Sequence, residues 1–190
     1  MTRLLQSMLA TALLLATFHS AQADSYSEAR QVFTGAGESG AYFSNAYGYA
    51  LFPTIGKGGM GVGGAHGSGK VYAGGKHVGD TKMTQLSIGW QLGAQAYSQI
   101  IFFEDKRAFD DFTSGNFEFG AQATAVAITA SAGAQTTTGG GTQTSVAGGK
   151  NDASTSSLGY RKGMAVFTVA KGGLMYEAAI AGQKYSYTPK

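Results

Sequence analysis

Glycine in this chain is built into the apolar segments and is not confined to turns. In Gly58-Gly59-Met60-Gly61-Val62-Gly63-Gly64, and again in Leu86-Ser87-Ile88-Gly89-Trp90-Gln91-Leu92-Gly93, large side chains alternate with glycine or small polar residues. A period of two places each kind on its own face of a pleated strand. With 30 glycines against 2 prolines, a helical bundle is a poor solution, because each glycine inside a helix costs about 1 kcal/mol relative to alanine. A tightly bent sheet tolerates them and uses them where backbones approach closely. The expected fold class is therefore β-rich α+β: a single domain with a curved antiparallel sheet or small barrel, short N-terminal helices and one inserted helix near 105–114.

Ser25-Tyr26-Ser27-Glu28 has capping-box spacing, and Ala29, Val32, Phe33 and Ala36 follow at helical intervals, which predicts a short amphipathic helix. A second short helix is expected over about 39–46. Strands are expected at 49–52, 60–65, 70–74 and 86–92, the last with Leu86, Ile88, Trp90 and Leu92 forming its apolar face. A buried strand at 100–103 leads to a helix capped by Asp105 that turns Ala108, Phe109 and Phe112 inward and ends at Gly115. Residues 119–130, 163–170 and 174–187 have the β-branched and aromatic content of further strands. Between them, about 132–157 is a Gly, Thr and Ser tract without apolar period, read as a mobile loop of the same domain. Replacing 134–156 by a short glycine linker should shift the melting midpoint by no more than a few degrees, since the tract carries too little apolar surface to offset its ordering entropy. Loss of cooperative unfolding would place it in the core.

The first 23 residues have the form of a signal peptide: Arg3, an apolar stretch from Leu4 to Phe18, and small residues in Ala21-Gln22-Ala23 at a cleavage site. The apolar stretch is about 15 residues long, whereas a spanning helix needs roughly 20. The domain proper then covers 24–190, exported to the periplasm or envelope. Without cysteine it is not lipidated through that residue, and it has no thiol nucleophile and no thiolate metal site.

The motifs with a chemical look each have a plainer reading. Gly64-Ala65-His66-Gly67-Ser68-Gly69-Lys70 has phosphate-loop spacing, but Val71 occupies the magnesium-binding Ser or Thr position and no helix follows, so a hairpin turn is expected and a nucleotide site is not. Gly35-Ala36-Gly37-Glu38-Ser39-Gly40 imitates a dinucleotide fingerprint yet follows a helical pattern, as a helix break would. His66 and His77, with Asp80 completing a His-x-x-Asp pattern, lack a third strong metal ligand, and the histidines read as exposed turn residues. The pairs Glu104-Asp105 and Asp110-Asp111 fit capping and a wet helix face better than glycosidic acid and base. No nucleophile and base stand in a recognisable arrangement, so no catalytic residue, metal or cofactor is assigned and an enzyme is not expected.

Ala46-Tyr47-Gly48-Tyr49-Ala50-Leu51-Phe52-Pro53, continuing through Ile55-Gly56-Lys57-Gly58-Gly59-Met60-Gly61-Val62-Gly63-Gly64 to Gly69-Lys70-Val71, resembles the opening motif of the SYLF lipid-binding family. Ser87-Ile88-Gly89-Trp90-Gln91-Leu92-Gly93-Ala94-Gln95 with Ile100-Ile101-Phe102-Phe103 resembles its central segment, and Gly173-Leu174-Met175-Tyr176-Glu177-Ala178 with Gly182 its closing hairpin. The resemblance implies lipid binding; eukaryotic members are described as binding phosphoinositide membranes and, in yeast, actin filaments. An exported bacterial member would meet anionic phospholipid or lipopolysaccharide instead. Family members enter membranes with a basic amphipathic helix, whereas here Asp24, Glu28 and Glu38 stand against Arg30, a poor match to an anionic surface.

Net charge is a modest +3 but uneven. Lys57, Lys70, Lys76 and Lys82 face only Asp80 over residues 53–103, while acids dominate 104–118. The expected function is non-enzymatic, peripheral attachment to a lipid surface through a basic face of Lys57, Lys70, Lys76 and Lys82, joined by Arg161 and Lys162. No nucleic-acid partner is expected. The alternative is an integral outer-membrane β-barrel or a structural envelope protein. The closing Tyr187-Thr188-Pro189-Lys190 lacks the strand-terminal aromatic of such barrels, and 119–130 offers small residues where lipid favours bulk.

Overall fold

The fold is that of a computed structural model describing residues 24–60, 62–88, 93–120, 123, 125–128, 159–171 and 180–190. The expected signal peptide (1–23), the 132–157 loop, Trp90 and the 173–178 motif lie outside the described residues. Residues 24–35 form a helix, α1, followed by the single turns α2 (Gly37–Gly40) and α3 (Tyr42–Asn45). Strands β1 (Gly48–Met60), β2 (Val62–Ala73), β3 (Lys76–Ile88) and β4 (Gly93–Phe103) come next, then helix α4 (Lys106–Thr113). Short β5 (Phe117–Glu118) and β6 (Val126–Ile128) precede β7 (Met164–Lys171) and β8 (Gln183–Pro189).

The eight strands of the described residues form one sheet in the order β5-β8-β3-β2-β1-β4-β7-β6, antiparallel except for the edge pair β6–β7. The expected strand pieces at 49–52, 60–65 and 70–74 are merged into two long strands paired from Gly48↔Ala73 to Met60↔Val62. Pro53 cannot donate to a ladder, and the register of β1 slips beside it against both neighbours. After the bulge Ile55 points to the same side as Phe52, and both are fully buried.

The sheet is rolled into a half-barrel. Strands β4 and β8 stand four strand spacings apart, about 19 Å on a flat sheet, yet Gln99 Nε2 of β4 donates to Gln183 Oε1 of β8 at 3.0 Å. Glycine permits this curvature: a Cβ on Gly69 would lie 2.7 Å from the Phe52 ring, and one on Gly67 would lie 2.5 Å from Ile55 Cγ1. The concave side holds Ala50, Phe52, Ile55, Met83, Ile101 and Phe103, and α4 closes it at one end with Ala108 and Phe112. The convex side holds a second core, where Ala29 and Phe33 of α1 pack with Ala36 on Tyr49, Leu51, Phe102 and Phe167.

Several local expectations change. Gly64 to Lys70 lies inside β2 and is not a hairpin turn, so it also lacks the helix start that a phosphate loop requires. His66 and His77 accordingly sit on strands β2 and β3 rather than on turns. The alternation in β3 has the opposite phase from the one expected, with Thr81, Met83 and Gln85 buried and Leu86 86 % exposed. Alternation specifies two faces; the direction of the roll selects which is inside. Residues 119–120, 123 and 125 are not strand, and β6 is only Val126–Ile128. The helix at 105–114 is as expected: Asp105 accepts from Ala108 N at 2.8 Å, and Gly115 takes φ +92° just after the end.

Candidate functional site

Strand register locates the six predicted cations, and it divides them. Lys57 shares the row of Ile55 on the concave side, half-buried opposite Ala65 and Gln95. Lys70 and Lys82 are on the convex side, in register with Asp80 and with Ser68 and Ser186 respectively. Lys70 Nζ stands 4.3 Å from the ring centre of Tyr26 in α1, a cation–π contact that ties the helix to the sheet. Burial pushes the Tyr26 hydroxyl up to about 12, and it donates to Ser68 O at 3.4 Å.

Lys76, Arg161 and Lys162 do come to the same end of the sheet. Gly48 pairs with Ala73 on one side and Phe103 on the other, and Phe103 pairs with Met164. The start of β3 with Lys76 and the turn carrying Arg161 and Lys162 therefore lie at one rim. Lys190, which sequence reasoning passed over, is brought there by its backbone N–H, which donates to Val78 O at 3.0 Å. All four are exposed, and none has an ion pair among the described residues. Helix α4 starts at the same rim with its cations paired: Lys106 meets Asp110 at 2.6 Å and Arg107 meets Asp105 and Asp111 at 3.7 and 3.9 Å. Glu104 is the exposed acid of that rim without an ion pair among the described residues.

A second constellation lies within the roll. Gln99 Nε2 donates to Gln183 Oε1 and, at 2.8 Å, to Tyr185 OH; Tyr185 OH donates to Gln183 Oε1; Gln183 Nε2 donates to Tyr97 OH at 3.1 Å. Gln99 and Gln183 are fully buried, and Tyr97 and Tyr185 nearly so. Burial holds both phenols well above their usual range, against the smaller effects of Gln183 on Tyr97 and Gln99 on Tyr185. The cluster is consequently neutral. The sequence signal for it is faint: single polar residues occur at the inward phase of apolar strands, and nothing local says which phase is inward.

A family model described as Ysc84, Las17-binding protein actin regulator, matches residues 84–187, more than half of the chain. The chain belongs to the Ysc84 family. The SYLF resemblance read from its motifs is the same assignment. Beta cell expansion factor A of Aeromonas veronii is 30% identical over 145 residues, covering 75% of this chain and 46% of that protein. The chain thus spans about half the length of the curated relative it matches. Within the Ysc84 match fall Gln85, Tyr97, Gln99, Arg161, Lys162, Thr168, Gln183 and Tyr185, whereas Lys57, Lys70, Lys76 and Lys82 precede it. The buried polar cluster is therefore contained in the family segment, while most of the predicted lysines are not.

Proposed function

We propose that this protein is a non-enzymatic binder of lipid surfaces, exported to the bacterial envelope and attached peripherally to anionic phospholipid or lipopolysaccharide. The observation that carries the reading is the rim with Lys76, Arg161, Lys162 and Lys190, exposed and without ion pairs among the described residues. Each such cation near an anionic surface contributes about 1 kcal/mol, so a few suffice for reversible attachment that salt releases. Peripheral attachment also suits the two faces of the sheet. A membrane barrel is apolar outside and polar within, whereas this sheet has its large apolar cluster on the concave side and His66, Ser68, Lys82, Thr84, Lys184 and Ser186 exposed on the convex one.

Flotation with phosphatidylethanolamine vesicles, with and without phosphatidylglycerol, tests the reading. The wild type should float only with the anionic lipid and at low salt. Lys76→Ala with Lys162→Ala should weaken binding roughly thirtyfold, about 2 kcal/mol, while Lys57→Ala on the concave side changes it little. Flotation insensitive to anionic lipid and to salt would sink the reading.

A further inference from the structure

The buried cluster has unused hydrogen-bonding capacity. Both Gln99 Nε2 hydrogens are committed, and Gln183 Oε1 already receives two donors, which sets the orientation of both amides. Among the described residues Gln99 Oε1 then has no partner, and Thr168 Oγ1 has none either, although these residues are 0% and 1% exposed. The two are directly opposite each other on β4 and β7, so their side chains leave the sheet on the same, concave face about 5 Å apart. A buried polar atom left unpaired costs on the order of 1–3 kcal/mol, and here two of them adjoin. Beside them the wall is low. Ala127 of β6 pairs with Thr168 and is exposed, while Ala123 and Ala125 pack against the concave core. Their neighbours Val126 and Ile128 face the opposite, convex side.

We propose that this spot binds a small uncharged amphiphile, whose hydroxyl or amide group donates to Gln99 Oε1 and accepts from Thr168 Oγ1 while its apolar part lies over Ala123, Ala125 and Ala127. The neutrality of the cluster selects against charged headgroups, which would be desolvated without a counter-charge. The site is separate from the cationic rim and does not depend on lipid-surface attachment.

The test titrates the full chain calorimetrically with octanol, octanoate and octylammonium at neutral pH, three probes that share a tail and differ in head charge. Octanol should bind saturably, with both charged probes at least about tenfold weaker. Thr168→Val keeps the side-chain shape and removes the hydroxyl. It should weaken octanol about tenfold and, in the absence of probe, leave the unfolding midpoint unchanged or higher, because an unpaired buried hydroxyl has been deleted. The proposal is overturned if octanol does not saturate, as when a buried water fills the spot, or if octanoate binds equally. It is likewise overturned if Thr168→Val binds octanol undiminished, or lowers the midpoint because its hydroxyl has a partner within the protein.

Discussion

Phe33→Ala is expected to lower the unfolding free energy by about 3–5 kcal/mol, the range for deleting a fully buried aromatic ring. Phe33 is 0% exposed and sits with Ala29, at 5%, and Ala36, at 3%, on the convex core formed by Tyr49, Leu51, Phe102 and Phe167. Aromatic contacts continue that core, with Phe43 edge-on to Phe102 at 4.9 Å and Tyr42 stacked on it at 5.4 Å. The apolar face of α1 is thus occupied by its own sheet. A docked helix keeps only Val32, 43% exposed, as a large apolar side chain open to a bilayer among its described residues, which agrees with the acidic residues already noted on its polar side. Urea unfolding followed by tyrosine fluorescence should show a lower midpoint with an unchanged slope. A change below about 0.5 kcal/mol, within the range of ordinary surface substitutions, would mean that α1 is not docked in solution, and would return it to consideration as a membrane-entering helix.

Gly69→Val should destabilise by about 1–3 kcal/mol, although valine is the better strand former by up to about 1 kcal/mol. The added Cβ would stand 2.7 Å from two atoms of the Phe52 ring and 2.9 Å from Leu51 O. A ring can tilt, but the carbonyl belongs to a backbone held in register with both β2 and β4, so the cost should fall toward the upper end of that range. Gly67 makes the same demand through Ile55 Cγ1 at 2.5 Å and Thr54 O at 3.0 Å. The close backbone approach expected of the strand glycines is thus shown at Gly67 and Gly69, while Gly61 and Trp90 lie outside the described residues. Gly74→Ala is an informative control, with open space around it but φ +55°, so any cost there reports backbone strain rather than crowding. If Gly69→Val unfolds at the wild-type midpoint with the same slope, β2 does not pass under Phe52 as described.

What the amino-acid sequence determined by itself was local and periodic. The two-residue alternation, the glycine content and the aromatic residues specified a bent sheet; Asp105 and Gly115 bounded the inserted helix; Ala29, Val32, Phe33 and Ala36 marked a helix with one apolar side, of which Val32 stays exposed. Each depends on contacts within a few positions along the chain, where spacing alone settles the geometry. What only the tertiary structure decided were the non-local choices. A strand with two alternating faces does not state which one the sheet will roll around, so Leu86 is outside while Gln85 is inside. Lysines that look equivalent in a charge count are sorted by register, with Lys57 turned toward the concave side, Lys70 placed against Tyr26, and Lys76 carried to the rim that Arg161, Lys162 and Lys190 reach from much later in the chain. The Gln99, Gln183 and Tyr185 cluster joins residues more than 80 positions apart across four strand spacings. Such a contact exists only once the sheet has closed on itself, because the free energy that selects the curl comes from burying both faces at once.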